Sequence, residues 1–441
     1  MTITFSKKLP NIKVDGLCIK RVNKGVYTNK QKLIDVKRNN VIFDNLNIDN
    51  EVKEPLEIGL RLRNTHNIKF NYLLIKNVYG VGDNYALLNS GSSYVYFENF
   101  TYEEQNNNIT KKKGYTARNG NHIYFNHVNL YGIDDHWGYH YYVDNSKIVG
   151  EGIGFAGKSF DIRRSTISST GIGFMVRTDT PFVEGILNIE DVTFDNVGKN
   201  IGYLARQDPD NRMPGIALKF FDEIRIKNVN VINSFTEGEN INDKAFIKFS
   251  TDGTGWSQEV NVTIGDIIFE NVTSDKKLLD FSTAIPCIVD RITYKKCKFI
   301  PTISETGLNG AGILSYGKQQ INEIILDDCY DLSFKINNVG GVNVIPHIIV
   351  NNSKIKKRGW EVASDTIVEF KDCEISDAYL NLNKVIIKDN LFKLPFSYAF
   401  LRASTILLYS QANIAEVGIS TSRLPALDNY VDNAFYISSL V

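Results

Sequence analysis

The 441-residue sequence has little proline, methionine or cysteine, with 10, 3 and 5 residues respectively. The cysteines form no CxxC pair, so the sequence predicts neither a disulfide framework nor a zinc ribbon. No apolar run approaches the roughly 20 residues that a membrane-spanning helix needs. Residues 1–15 lack the apolar stretch of a secretory signal, and we therefore expect a protein made in the cytosol.

The chain also lacks a charge of one sign. Lysine and arginine together number 50, as do aspartate and glutamate, so the net charge at pH 7 is zero. A general polyanion binder, such as a non-specific nucleic-acid protein, would have a strong positive balance, and this class is excluded. Hydrophobic residues make up 43% of the chain and can build a large core, which excludes a wholly disordered protein.

Short runs of β-branched and aromatic residues with period-two alternation recur along the chain, which predicts an all-β protein. A six-residue phrase organises these runs: an apolar residue, any residue, an apolar residue, two polar residues, then an apolar or small one. The first copies are VIFDNL at 41–46, IKFNYL at 68–73 and VYFENF at 95–100. The fifth position of the phrase falls at Asn45, Tyr72, Asn99, His127, Arg164, Asp191, Asn228, Asp266, Lys296, Asp328, Asn352, Asp372 and Asp389.

Thirteen copies at steps of 17 to 38 residues predict a single-stranded parallel β-helix of about thirteen coils. We expect the right-handed sense that parallel crossovers prefer. The Asn and Asp residues at the fifth position favour the left-handed backbone of a sharp coil corner. The sixth position would form an interior column, in which Cys297, Cys329 and Cys373 are small buried residues.

The phrase is absent after about Leu394, where the sequence becomes apolar and rich in aromatic residues. A β-helix must cover its open end, because exposed strand edges aggregate. We therefore divide the chain into an N-terminal cap at 1–38, a parallel β-helix at 39–393 that carries the site, and a short β-rich C-terminal cap or trimerisation segment at 394–441.

The longest steps between copies, which predict long loops, lie beside a concentration of aromatic, acidic, histidine and arginine residues. Three segments there align without gaps: WGYHYYVD at 137–144, IGFMVRTD at 172–179 and IGYLARQD at 201–208. As strands of successive coils, they would place alternate residues on the outer face in stacked columns. The expected columns are Gly138/Gly173/Gly202, His140/Met175/Leu204, Tyr142/Arg177/Arg206 and Asp144/Asp179/Asp208.

This composition favours a carbohydrate site, because sugar rings stack on aromatic rings and sugar hydroxyls bond to charged groups. Hydrolysis needs two carboxyl groups, one as the acid and one as the base or nucleophile. The predicted catalytic residues are Asp135, His140, Asp144, Asp179 and Asp208. The predicted substrate-binding residues are His136, Trp137, Tyr139, Tyr142, Arg177 and Arg206.

Two alternatives stay open for these residues. A polysaccharide lyase would use Arg177 and Arg206 to neutralise a substrate carboxylate, with His140 or Tyr142 as the base. Alternatively, the stacked Arg and Asp residues form a solvated ladder of ion pairs. No cofactor or metal is predicted, because the Asp-Asp-His run at 134–136 has no second histidine cluster at a fixed spacing.

An asparagine-rich parallel β-helix with long loops on one face and an aromatic C-terminal tail resembles the tailspike and receptor-binding proteins of tailed bacteriophages. More broadly, it is similar to the pectate-lyase-like β-helix proteins. The resemblance is one of architecture and covers residues 40–395. It implies a homotrimer of the virion tail, attached to other tail or baseplate proteins. The zero net charge and the lack of a long apolar run predict no nucleic-acid or membrane partner.

The resemblance further implies that the protein is made in the host cytoplasm and acts at the outer surface of the bacterial cell. There it would bind and cleave a surface polysaccharide (capsule, O-antigen or exopolysaccharide). From the residues themselves, we expect hydrolysis by carboxylates rather than elimination by a lyase. A non-catalytic, glycan-binding tail fibre protein is the alternative. The sequence departs from many tailspikes because residues 1–38 are too few for a large virion-attachment domain.

Overall fold

Every regular element in the described part of the chain is a β-strand, as the sequence predicts. Among these residues, no helix has the length and apolar character needed to cross a membrane. The computed structural model describes residues 2–6, 11–22, 32–51, 56, 58–78, 85–103, 113–169, 174–177, 185–197, 216–219, 223–236, 245–250, 261–274, 277–281, 287–299, 314–316, 319–332, 335–337, 347–356, 359–361, 366–376, 379–382, 384–393, 406–411, 413–415 and 436–437.

The chain divides into two compact units, residues 1–200 with 215–224 and residues 201–214 with 225–441. The strands up to residue 219 are β1 (Ile3–Phe5), β2 (Ile12–Val14), β3 (Leu17–Lys20), β4 (Lys32–Val36), β5 (Val41–Asp49), β6 (Ile58–Arg63), β7 (His66–Lys76), β8 (Tyr85–Ser90), β9 (Ser93–Phe97), β10 (Phe100–Glu103), β11 (Lys113–Arg118), β12 (Asn121–Asn126), β13 (Asn129–Asp144), β14 (Lys147–Arg163), β15 (Thr166–Ser169), β16 (Phe174–Arg177), β17 (Ile186–Glu190), β18 (Thr193–Asp195) and β19 (Ile216–Lys219).

The later strands follow the same pattern of short segments. They are β20 (Glu223–Lys227), β21 (Val229–Ile232), β22 (Phe235–Thr236), β23 (Ala245–Ser250), β24 (Asn261–Glu270), β25 (Thr273–Ser274), β26 (Lys277–Phe281), β27 (Cys287–Lys295), β28 (Lys298–Phe299), β29 (Leu314–Tyr316), β30 (Gln319–Asp327), β31 (Lys335–Asn337), β32 (His347–Asn351), β33 (Lys354–Lys356), β34 (Gly359–Glu361), β35 (Ile367–Lys371), β36 (Glu374–Ser376), β37 (Tyr379–Asn381), β38 (Lys384–Lys388), β39 (Leu391–Lys393), β40 (Ile406–Gln411), β41 (Ile414–Ala415) and β42 (Tyr436–Ile437).

In the first unit the strands pair in parallel and place like residues side by side. Phe43 pairs with Phe70, and Phe70 pairs with Phe97, which is the step that the sequence repeat predicts. Their rings stack inside at centroid distances of 5.0 and 5.1 Å. Such a parallel ladder, with alternate side chains buried, is consistent with a parallel β-helix.

The second unit also consists of a large parallel ladder. Ile292 pairs with Ile324, Ile324 with Ile348, and Ile348 with Val368, and all four side chains are buried. The register corrects one predicted copy of the phrase: Ile267, and not Val262, aligns with Ile292. The copy is therefore IIFENV at 267–272. The sequence predicted it five residues too early because VTIGDI at 262–267 matches the same pattern of apolar and polar residues.

One predicted long step is also wrong. The 37 residues between His127 and Arg164 contain an additional strand segment rather than a long loop, since Tyr141 pairs with Ile123 on one side and Phe160 on the other. This segment is a further copy of the phrase, YYVDNS at 141–146. The pattern of apolar residues does not predict this copy, because a tyrosine stands at its first apolar position, where Tyr141 is 1% exposed.

The predicted corners form at most copies of the phrase. Nine of the thirteen fifth-position residues have φ between 43° and 55°, and Asn271 of the corrected copy has φ 54°. At Asn45 and Tyr72 the strands β5 and β7 continue without a corner, so no left-handed residue is needed there. The left-handed fifth-position residues are His127, Arg164, Asp191, Asn228, Lys296, Asp328, Asn352, Asp372 and Asp389.

The sixth-position column is buried, as predicted. Cys297, Cys329 and Cys373 are free thiols no more than 3% exposed, and each donates to a main-chain carbonyl at 3.3 Å. Burial raises the pKa of Cys373 to about 12, which keeps this thiol protonated and unreactive. The column continues with Asn390 and Asn413, which are hydrogen-bonded to each other at 2.9 Å.

Candidate functional site

The predicted site residues that the structure describes fully lie on β13. These are Asp135, Trp137, Tyr139, His140, Tyr142 and Asp144. For His136 and Arg177 only the strand position is described, and Asp179, Arg206 and Asp208 lie outside the described residues.

The predicted outer columns do not form where the structure describes them. Tyr142 pairs with Tyr124 and Asp161, and Arg177 pairs instead with Ala156 and Lys219. The reason is that β13 turns a corner within its length. Its residues 133–136 pair with β11, whereas its residues 141–144 pair with β12. The gapless alignment therefore compared segments that belong to two different faces.

Stacked rings cover the face to which β12 and the end of β13 contribute. Tyr96 stacks on Tyr124 and Tyr124 on Tyr142, with centroids 4.6 and 4.7 Å apart and planes within 5° of parallel. Of these three tyrosines, only Tyr142 was predicted from the sequence. The signal for the others is an aromatic or histidine pair two residues apart in SYVYF at 93–97, NHIYF at 121–125 and YHYYV at 139–143.

A second row of rings runs beside the tyrosines. The His122 ring lies 4.5 Å from Tyr94 and 4.6 Å from His140, and the Nδ1 of His140 is 2.6 Å from the hydroxyl of Ser159. Burial lowers the pKa of both histidines, and the charges of His122 and Lys158 lower that of His140 further. Both imidazoles are therefore neutral at pH 7 and can accept or donate hydrogen bonds.

The stacked rows present ring edges and hydroxyl groups outward, because neighbouring rings cover each other's faces. Trp137 and Tyr139, in contrast, are 46% and 41% exposed. They lie on either side of Gly138, where the register between β13 and β14 shifts. A Cβ atom at Gly138 would lie 2.6 Å from the Phe155 ring and 2.8 Å from the Asp135 carboxylate, so glycine is required at this shift.

Trp137 has a strained backbone, with φ 77°. The register aligns Arg63, Ser90, Arg118 and His136, so the residues that follow them occupy one corner position in successive strands. Those residues are Asn64, Gly91, Asn119 and Trp137, and the first three have φ 48°, 72° and 60°. Asn and Gly tolerate this conformation, whereas for a bulky residue it is an outlier that costs about 1–3 kcal/mol.

Asp135 faces the interior, away from the exposed rings. Its carboxylate is 1% exposed, accepts a hydrogen bond from the Gly120 N–H at 3.2 Å and accepts another from the Tyr141 hydroxyl. Burial raises the pKa of Asp135 to about 8. The side chain is thus largely a neutral acid at pH 7, and it lies within the core rather than beside Trp137.

The outward carboxylates at the end of this face are engaged by arginine. Arg164 binds both oxygens of Asp144, and Arg163 binds both oxygens of Asp161 at 2.8 Å. Their remaining lone pairs can accept hydrogen bonds from the hydroxyls of a ligand. Within the described residues, no group of three or more His, Cys, Asp or Glu could hold a metal ion.

No protein-family model, curated protein or solved structure matches the chain.

Proposed function

We propose that the protein is a tailspike-type protein that binds a bacterial surface polysaccharide on the outer face of β13. In this proposal each copy of the phrase, including the additional one at 141–146, is a coil of a right-handed β-helix. Three chains associate through the segment 394–441, and the assembly belongs to a phage tail. The parallel register and the buried sixth-position column support the β-helix part of this proposal.

The observation that carries the proposal is the exposed Trp137 in a left-handed corner. Asn or Gly would fit this corner without strain, as they do in the three preceding strands. A bulky residue in a strained, left-handed backbone conformation is expected at functional sites, where another interaction compensates for the strain. An exposed indole can stack on the C–H face of a sugar ring.

The groups around Trp137 suit the polar part of a saccharide. Tyr139 adds a second exposed ring, and His140, Tyr142 and Asp144 follow on the same strand with a ring nitrogen, a hydroxyl and a carboxylate. A mixture of apolar surface and a few directed polar groups is typical of small-ligand sites. Hydrolysis by Asp144 with Asp179 or Asp208 stays a prediction, since the last two lie outside the described residues.

The experiment is a binding assay with Trp137→Asn against a panel of purified bacterial surface polysaccharides. We expect at least about tenfold weaker binding, which corresponds to about 1.4 kcal/mol. Thermal stability should be unchanged or higher, because Asn suits the corner.

The matched control is Tyr72→Asn. Tyr72 is 59% exposed and pairs with Asn45 of the neighbouring strand. Like Trp137→Asn, this change therefore replaces an exposed ring with the residue type found at the same position of a neighbouring strand. It should leave binding unchanged. Wild-type affinity in Trp137→Asn, or no binding of any polysaccharide, would refute the proposal. A decrease in polymer length on size-exclusion chromatography would show that the protein also cleaves the polysaccharide. A new ultraviolet absorbance of the products would identify the reaction as that of a lyase.

A further inference from the structure

A cluster of cations in the first unit surrounds one buried carboxylate. Asp35 on β4 is 1% exposed, and the guanidinium of Arg61 on β6 binds its two oxygens at 3.0 and 2.8 Å. Lys37, Arg63 and Lys32 place their nitrogens 3.5, 3.6 and 3.8 Å from the same carboxylate. Among the described residues, one negative charge thus faces four positive ones.

A further arginine, Arg118, lies between this cluster and the exposed tryptophan. Arg63 pairs with Ser90 on β8, and Ser90 pairs with Arg118 on β11. Arg118 in turn pairs with His136, the residue before Trp137. Neighbouring strands lie about 4.8 Å apart, so two strand spacings, about 10 Å, separate the two arginines. The column therefore leads from the Asp35 cluster to the proposed sugar-stacking corner.

Two further basic residues occupy later positions in the same register. His136 pairs with Ala156, Ala156 with Arg177 on β16, and Arg177 with Lys219 on β19. Arg177 was predicted from the sequence to bind substrate, in a column with Tyr142. The register places it instead in the column that contains Arg63 and Arg118.

Three of the cationic side chains are accessible to solvent, whereas Arg61, which binds Asp35, is only 17% exposed. The side chains of Arg63 and Lys37 are 41% and 40% exposed, and Arg118 is exposed. On an ordinary solvated face, charges of both signs alternate and cancel. Here four cations of described residues converge on one carboxylate, and the chain as a whole is neutral. The half-buried Asp134, which pairs with Thr116, lies on the same side as Arg118 and offsets part of the positive charge there. A local field of one sign in a neutral protein attracts anionic ligands.

We propose that this basic strip, in which Lys37, Arg63 and Arg118 are the exposed cations beside the Asp35–Arg61 pair, binds the carboxylate groups of an acidic polysaccharide. The inference rests on the proposed function and specifies its ligand: a polymer with uronic or similarly carboxylated sugars, one ring of which stacks on Trp137. Guanidinium groups bind carboxylates through paired hydrogen bonds, and the strip already holds one carboxylate in this way, that of Asp35.

The test compares wild type with the double variant Arg63→Gln/Arg118→Gln, which leaves the Asp35–Arg61 pair in place. Binding is measured on uronate-containing bacterial polysaccharides, on the same polymers after chemical reduction of their carboxyl groups, and on neutral polysaccharides. We expect wild type to bind the acidic polymers with an affinity that falls as salt rises. The double variant should bind them at least about tenfold more weakly, yet bind the reduced polymers as wild type does.

The matched control is Arg291→Gln, an exposed arginine of the second unit whose partner is Asp266 at 2.8 Å. It should leave binding of the acidic polymers unchanged. Melting temperatures of all variants exclude an effect of misfolding.

Three outcomes would overturn the inference. Binding of neutral or reduced polymers as tight as that of acidic ones, with Trp137→Asn still defective, would remove the inference and leave the proposed function intact. Equal competition by a single-stranded oligonucleotide would show a general polyanion surface rather than a glycan site. Absence of binding to every polysaccharide would refute the proposed function and the inference together.

Discussion

Replacement of Asp135 by asparagine should stabilise the protein at neutral pH. The carboxyl group is 1% exposed, and its Oδ2 accepts hydrogen bonds from Gly120 and Tyr141, whereas its Oδ1 is buried without a partner. Burial raises the pKa of Asp135 to about 8. Asparagine has the shape and the zero charge of the protonated acid. Its amide NH2 group would take the place of the hydroxyl group that the protonated Oδ1 forms.

The magnitude follows from the pKa difference between the folded and unfolded states. The pKa rises from 3.8 to about 8, and each unit corresponds to about 1.4 kcal/mol. Because the folded-state value is the higher one, this contribution to stability is complete below about pH 4 and declines as the pH rises to about 8. At pH 7 the wild type should therefore have lost about 4 kcal/mol that Asp135→Asn retains.

The assay is urea unfolding of both proteins between pH 4 and pH 9, followed by circular dichroism. The difference in unfolding free energy should be near zero at pH 4 and reach about 4 kcal/mol by pH 7. Asp134→Asn is the control, because this half-buried neighbour alternates to the opposite side of the strand. Parallel stability curves for wild type and Asp135→Asn would show that the carboxyl is ionised in the fold, and the reasoning would fail.

Two further substitutions test the packing of the first unit by thermal unfolding. Tyr124→Ala removes stacking on Tyr96 and Tyr142, each pair being worth about 0.5–1.5 kcal/mol, whereas Tyr124→Phe should retain it; equal losses in both variants would contradict this. Asp35→Asn leaves Arg61 and its cationic neighbours without their counter-charge and should lower the free energy of unfolding by about 3 kcal/mol. If this loss vanishes when Arg61 is also replaced by Met, the unpaired arginine is confirmed as its cause.

The alternation of apolar and polar residues predicted the strands and the buried side of each. Phe43, Phe70 and Phe97 lie in one interior stack because their spacing in the sequence matches the parallel register. Two errors show the limit of that pattern: the copy at 141–146 was missed, and the copy at 267–272 was placed at 262–267. A six-residue pattern does not distinguish a buried tyrosine from a surface one, and two overlapping segments can satisfy it equally.

The candidate site was only partly predictable. The concentration of aromatic residues in 137–142 pointed to Trp137 and Tyr139, which are indeed exposed. The sequence did not reveal that Asp135 turns inward. The position of Trp137 in a corner shared with Asn119 was equally hidden, because both facts depend on how β13 pairs with β11.

The sequence by itself determined the strand class, the parallel repeat and the identity of the interior column, because these follow from local alternation and a recurrent spacing. Only the tertiary structure decided which outer residues are neighbours. Arg63 and Arg118 are 55 positions apart in the chain, yet the register places both in one column that leads to Trp137. Register is set by how whole strands stack and where each turns its corner, and a shift of one residue moves every side chain to the other face.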